Sequence, residues 1–218
     1  MRAAARAAFR LARHELRLLA GLALWLRRRT HGTENGRAFG YARGQGPVMA
    51  GLGFVCVIET VAMSVLLRRW PAVHTVALLL DVYGVVLVVA LHAASVVRPH
   101  VLDADLLRIR QAAHVDLRVP LHRIASVRRE TRTTHERAEG ELDLPVGSQT
   151  SVTLELAAPV EHISLLGRRR RVRLVRFHAE DAGALVRELT RATTTAADAG
   201  PGPLGGTPYA GAERYPKE

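Results

Sequence analysis

Glu59 and Asp81 are carboxylates in places where carboxylates are rare, each near the middle of an uninterrupted apolar run. His74 and His92 share the second run with Asp81. Spacings of seven and eleven residues along that run put His74, Asp81 and His92 on one helical stripe, because both are near-integral numbers of turns. Ionisable groups in such a setting belong to proton or cation paths, or to polar contacts between helices. Two ionised carboxylates side by side in hydrocarbon are prohibitive, so a Glu59/Asp81 pair must share a proton, hold a cation or be protonated. Stripe neighbours about 10 Å and 16 Å apart along the axis are too distant for direct proton transfer or for one shared metal ion. A clamp that fixes helix register, with Thr60 and Tyr83 completing a polar network, is therefore the leading expectation. An oligomeric proton or cation conduit is the alternative. Cys56, the single cysteine, is read as a small packing residue and excludes an internal disulfide or a cysteine zinc cluster.

The second group is basic. Arg168, Arg169, Arg170 and Arg171 follow Gly167, with Arg173 and Arg176 beyond. Consecutive arginines at a hairpin turn attract anionic headgroups or an acidic protein at about 1 kcal/mol per residue near a charged membrane. The competing reading is a solvated turn matched by the acids of residues 136–143. A third group, Arg2, Arg6, Arg10, Arg13 and Arg17, recurs at spacings of four, four, three and four. At 100° per residue these five share one helix face, with Ala4, Ala8, Leu11, Ala12, Leu19 and Leu22 opposite. That pattern suits a helix lying in an anionic headgroup layer, or one docked on the protein's own domain.

These groups require particular elements to position them. The apolar runs of residues 47–97, interrupted only by Arg68-Arg69-Trp70-Pro71, each reach the roughly 20 residues needed to cross a bilayer. They predict a transmembrane helical hairpin. Glu59 and Asp81 are each eleven residues from Trp70, or about 16 Å deep, and are expected to meet near the midplane. Residues 1–46 hold ten arginines against two acids, while the turn holds only Arg68 and Arg69, so both termini are expected in the cytoplasm of a multi-pass cell-membrane protein. The uncharged stretch 18–26 is too short for a third span, and the triple arginine after it does not fit a cleaved signal peptide.

The remaining chain is organised around the hairpin. Residues 1–29 form the basic amphipathic helix. Residues 30–46, with five glycines, read as a flexible linker. In residues 98–193 alternation takes over: Leu107/Ile109, Val115/Leu117/Val119 and Val152/Leu154/Leu156 alternate with polar neighbours, the mark of half-buried antiparallel strands. Ile124–Glu130 and Arg171–Phe177 are further strands. Asp181 then precedes Ala182, Leu185, Val186 and Leu189, an N-capped amphipathic helix. Residues 194–218, rich in Gly, Pro, Ala and Thr, have too little apolar content to bury and are expected to be disordered.

The stretches RPHVLDADLLRIR, VDLRVPLHRIASVR, VTLELAAPVEHISLLGRRRRVRLVRF and AEDAGALVREL resemble bacterial pleckstrin-homology-like (PH-like) domains, over about half the chain. FGYARGQGPVMAGLGFVCVIETV is similar to the hairpin of two-helix membrane proteins of actinobacteria. The resemblance implies a partly open antiparallel β half-barrel closed by a C-terminal helix. Such a scaffold binds lipids, peptides or proteins, with no cofactor or catalytic residue to carry over. The expectation is an α+β membrane protein with a cytoplasmic binding or scaffolding domain for an acidic protein or anionic lipid, self-associating or held by a membrane-protein partner. No phosphate-cradling G-x-x-x-x-G-K, H-E-x-x-H or G-x-S-x-G occurs, so no enzyme is expected, nor a metal or cofactor. Nucleic-acid binding at the membrane is the weakest alternative, because residues 101–193 carry sixteen arginines against thirteen acids and show no recognition helix.

Overall fold

A computed structural model describes residues 2–34, 36–134, 138–164 and 168–198. Two helices, α2 (Gly46–Leu66) and α3 (Pro71–Val97), are long and apolar enough to cross a membrane. Each carries proline in its first turn, where the missing N–H costs no hydrogen bond. A tight turn through Leu67–Arg69 joins them. Only 6% and 11% of their most apolar stretches are buried, so these side chains build no core of their own. What is shielded on α2 falls on one stripe, Gly53, Cys56, Thr60, Met63 and Ser64, which faces α3. Ser64 Oγ and His74 Nε2 are 2.9 Å apart, a hydrogen bond that fixes hairpin register.

The basic helix α1 (Arg2–Leu26) does not stand apart. Leu18, Gly21 and Leu22 pack on Leu87, Ala90, Leu91 and Ala94 of α3, and this cluster includes Ala113 of the following domain. A Cβ on Gly21 would lie 3.3 Å from both Ala94 Cα and Cβ, so the helices cross closely because both residues are small. Phe9, Leu11, Leu16, Leu19 and Leu26 stay exposed on another side of α1.

The rest is an α+β domain of two four-stranded sheets. The first has the order β1 (Arg37–Phe39), β2 (His100–Leu102), β3 (Leu106–Gln111), β4 (Val115–Pro120). The second runs β5 (Ile124–Arg132), β7 (Thr150–Ile163), β8 (Arg169–Phe177), with β6 (Glu141–Leu144) at its edge. Leu107, Ile109, Leu117 and Val119 of one sheet and Val152, Leu154, Val175 and Phe177 of the other form one core, closed by Leu185 and Leu189 of α4 (Ala182–Asp198). Asp181 Oδ1 accepts from Ala184 N at 2.8 Å, the expected N-cap.

Three expectations need correcting. The segment read as a flexible linker is built into the domain: Arg37–Phe39 pairs with His100–Leu102, and Tyr41 is 1% exposed. Gly36 permits this, since a Cβ there would lie 2.5 Å from Leu102 O. The sheets are not wholly antiparallel, because β6 pairs with β8 in parallel. The last helix runs past 193 to Asp198. Residues 199–218, the rest of the segment expected to be disordered, lie outside the described residues, as do the side chains of Arg2, Arg6 and Arg10.

Candidate functional site

The hairpin separates the residues whose spacing suggested a carboxylate pair. Asp81 faces a narrow cleft lined by Thr60, Met63, Ser64, His74, Ala77 and Leu78, and its Oδ2 is buried without a hydrogen-bond partner. Glu59 is exposed on the outer side of α2 and shares no hydrogen bond or ion pair with Asp81 among the described residues. Residue counts fix depth but not direction. With the Ser64–His74 bond setting register, Thr60 lies one turn from Ser64 on the inner stripe, and Glu59 is rotated by about 100° away from it. The Thr60 hydroxyl donates to Cys56 O at 2.8 Å. The predicted histidine stripe also divides, for His74 lines the α2 cleft while the ring of His92 sits edge-on to Trp25 of α1 at 6.5 Å. Tyr83 donates to Glu15 Oε1 at 2.8 Å and joins α3 to α1 instead of joining the acids.

The arginine run opens β8. Arg168, Arg169, Arg170, Arg171 and Arg173 are all exposed, as expected of a hairpin flank. Acids accompany them. Arg169 Nη1 lies 3.3 Å from Glu161 Oε1, and Arg171 stands opposite Glu161 across the ladder. Glu139 and Glu141 share the walls of a groove of about 600 Å³ with Arg169, Arg170 and Arg171. Arg176 is largely buried between Glu141 and Asp143 at 2.6 and 3.1 Å. The exposed Arg169–Glu161 pair contributes about 1 kcal/mol or less.

A second basic cluster, not apparent from spacing, gathers where α3 ends. Arg108 and Arg110 project from the outer face of β3, and both approach Gly32: a Cβ there would lie 2.7 Å from Arg110 Nη2 and 3.7 Å from Arg108 Nη1. Arg110, 2% exposed, donates from Nη1 to His31 O at 2.7 Å. His31 N in turn donates to Val97 O at 2.9 Å, which sets the His31–Gly32 segment beside Arg98, the C-cap of α3. The Nε of Arg98 is buried without a partner. Asp116 is the acid within this group, bonded by Arg108 Nε at 2.6 Å and by its Nη2. Burial, then the charges of Arg17 and others, lowers the proton affinity of Arg98. Burial, then Arg108, does the same to Arg110. For Asp116 burial acts upward, but the Arg108 hydrogen bond and the charges of Arg108, Arg110 and Arg118 outweigh it and hold the carboxyl below its usual range. Arg118, across the ladder from Arg108, faces a shallow pocket shared with Glu34 and Asp103.

Beneath this cluster is a buried lock. His100 Nδ1 accepts from Arg110 N at 3.1 Å, and its Nε2–H donates to His178 O at 2.9 Å. Burial pushes its pKa down to about 4. The ring stacks on Tyr41 at 4.8 Å, whose hydroxyl accepts from Ala112 N at 2.7 Å. These contacts hold His31, Gly32 and residues 37–42 against the domain.

Comparison with protein-family models, with curated proteins and with solved structures gives no match.

Proposed function

We propose that this chain is an integral membrane protein whose two-helix hairpin anchors a PH-like domain to one membrane face, where the domain binds or scaffolds an acidic protein or anionic lipid. The observation that carries the reading is the uncovered apolar surface of α2 and α3, with α3 packed through α1 and Ala113 against the domain. At 27 residues α3 is about 40 Å long, close to the thickness of a bilayer with its headgroup layers. Pro71 would then lie in one headgroup layer and Arg98 in the other. Because α1 crosses α3 at Ala90 and Ala94, it falls at the second of these layers. Its exposed Leu11, Leu16 and Leu19 suit insertion among acyl chains. The excess of arginine near both ends of the domain-proximal side supports cytoplasmic termini at the cell membrane.

Within this reading Asp81 acts as a register clamp with Thr60, Ser64 and His74. Glu59, exposed at mid-span, is a contact for another helix, either a second copy or a membrane-protein partner, since intramembrane acids face protein or water. A conduit through Asp81 is the second reading, favoured by its unpartnered Oδ2. Asp81→Asn should then abolish ion flux in liposomes while leaving assembly intact.

Alkaline carbonate extraction of membranes tests the anchoring directly. Retention in the pellet is expected, and release to the supernatant would overturn the reading.

A further inference from the structure

Glu59 stands in an ordered surface. Along α2, Val48, Leu52, Val55, Glu59, Ala62 and Leu66 follow one another at spacings of four, three, four, three and four, and all six are exposed. Heptad spacing makes a seam that stays in contact with a facing helix over its whole length when the two cross at a shallow left-handed angle. At 1.5 Å per residue this seam is about 27 Å long, close to the roughly 30 Å of the hydrocarbon layer. It lies about 110° around α2 from the stripe that faces α3. The other exposed side, Phe54, Ile58, Val61 and Val65, is wholly apolar, so lipid covers it at no cost. Glu59 is the one polar residue of the seam, and among the described residues it has no hydrogen bond or ion pair. Ionisable groups at this depth face protein or water, so the acid marks the seam as the covered side.

We propose that this seam pairs in parallel with the same seam of a second copy, Glu59 against Glu59. The inference rests on the membrane reading above and names the partner that reading leaves open. Depth and symmetry identify the occupant. The arginine distribution that orients one copy orients all of them alike, so every Glu59 enters the bilayer at the same depth. A two-fold axis along the membrane normal then sets each seam residue opposite its own counterpart. A carboxyl group that keeps its proton is both donor and acceptor. Two of them face to face close a ring of two O–H···O bonds and leave no polar atom to lipid. A foreign helix would have to bring a matching group to that one depth, whereas a second copy brings it by construction. Ala62, three residues from Glu59 on the seam, is small enough to let the backbones approach there. A single polar residue in an apolar heptad seam also fixes its register.

The test is oxidative cross-linking of the full chain in cell membranes, in a Cys56→Ser background that removes the one native cysteine. Val55→Cys lies on the seam. Val57→Cys, comparably exposed at 49% against 58%, points about 200° away around the helix. A disulfide-linked dimer is expected from Val55→Cys and not from Val57→Cys. Adding Glu59→Leu should lower the Val55→Cys dimer about five-fold. Adding Glu59→Gln should keep it, because a carboxamide also donates and accepts. Equal dimer from the two cysteines, or a Val55→Cys dimer indifferent to Glu59→Leu, overturns the proposal. So does an adduct of Val55→Cys with a different protein in place of the homodimer, which would assign the seam to a foreign helix. Carbonate extraction of the same membranes separates the two claims. An inserted protein without the Val55→Cys dimer refutes this inference alone, whereas an extractable one refutes the membrane reading beneath it.

Discussion

The two arginine clusters of this protein differ in a way that their sequences invert. On β8, four consecutive arginines stand in solvent with glutamates around them. At the end of α3, Arg98, Arg108 and Arg110 come from separate positions and are partly or wholly buried, with Asp116 bonded to Arg108 and His31 O to Arg110. Density along the chain is thus a poor guide to which arginines the fold buries. What matters is whether the fold brings acids to meet the bases, and in the β8 hairpin it does.

Several substitutions would break or sharpen this contrast, beginning with the group under the spatial cluster. His100 is neutral when folded with a pKa of about 4, against about 6.5 unfolded. Between those values the unfolded state binds more protons, so stability should rise with pH from 4 to 6.5 and level off above. The window corresponds to about 3 kcal/mol, visible as a pH-dependent urea midpoint that His100→Gln flattens. Next, Arg110→Ala removes the bond to His31 O and should cost about 2 kcal/mol, whereas Arg170→Ala should stay within about 0.5 kcal/mol. Equal losses at the two positions would erase the distinction between the clusters. Gly21→Val forces a side chain against Ala94 and should cost about 1–2 kcal/mol by overpacking. It should also lift α1, read as faster proteolysis after Arg13 and Arg17. A smaller, pH-dependent effect belongs to Asp116→Asn. The carboxyl is depressed when folded, so its contribution is present above the ordinary carboxylate pKa and lost as pH falls through the folded value. Being 47% exposed, it should contribute about 1 kcal/mol or less, and the variant should lose that acid-side slope.

Much of the architecture is written in local patterns. Alternation at 107–109, 115–119 and 152–156 marks strands that are present, and Asp181 caps the helix it precedes. Run length and the Arg68–Pro71 turn mark the two apolar helices. The failures share one cause, which is that long-range pairing is silent in sequence. β1 is three residues among glycines and exists because β2, some 60 positions later, offers an edge. Glu59 and Asp81 were legible in depth and not in azimuth. The α3 cluster left no spacing signal, since Arg98, Arg108 and Arg110 are brought together through the His31–Gly32 segment.

The most direct test of the account places the two ends of the hairpin on opposite sides of a membrane. In a Cys56→Ser background, a membrane-impermeant thiol reagent is applied to intact cells carrying Arg68→Cys in the turn or Thr134→Cys in the β-domain. The account predicts labelling of Arg68→Cys from outside and of Thr134→Cys only after permeabilisation. Labelling of both from the same side would contradict it.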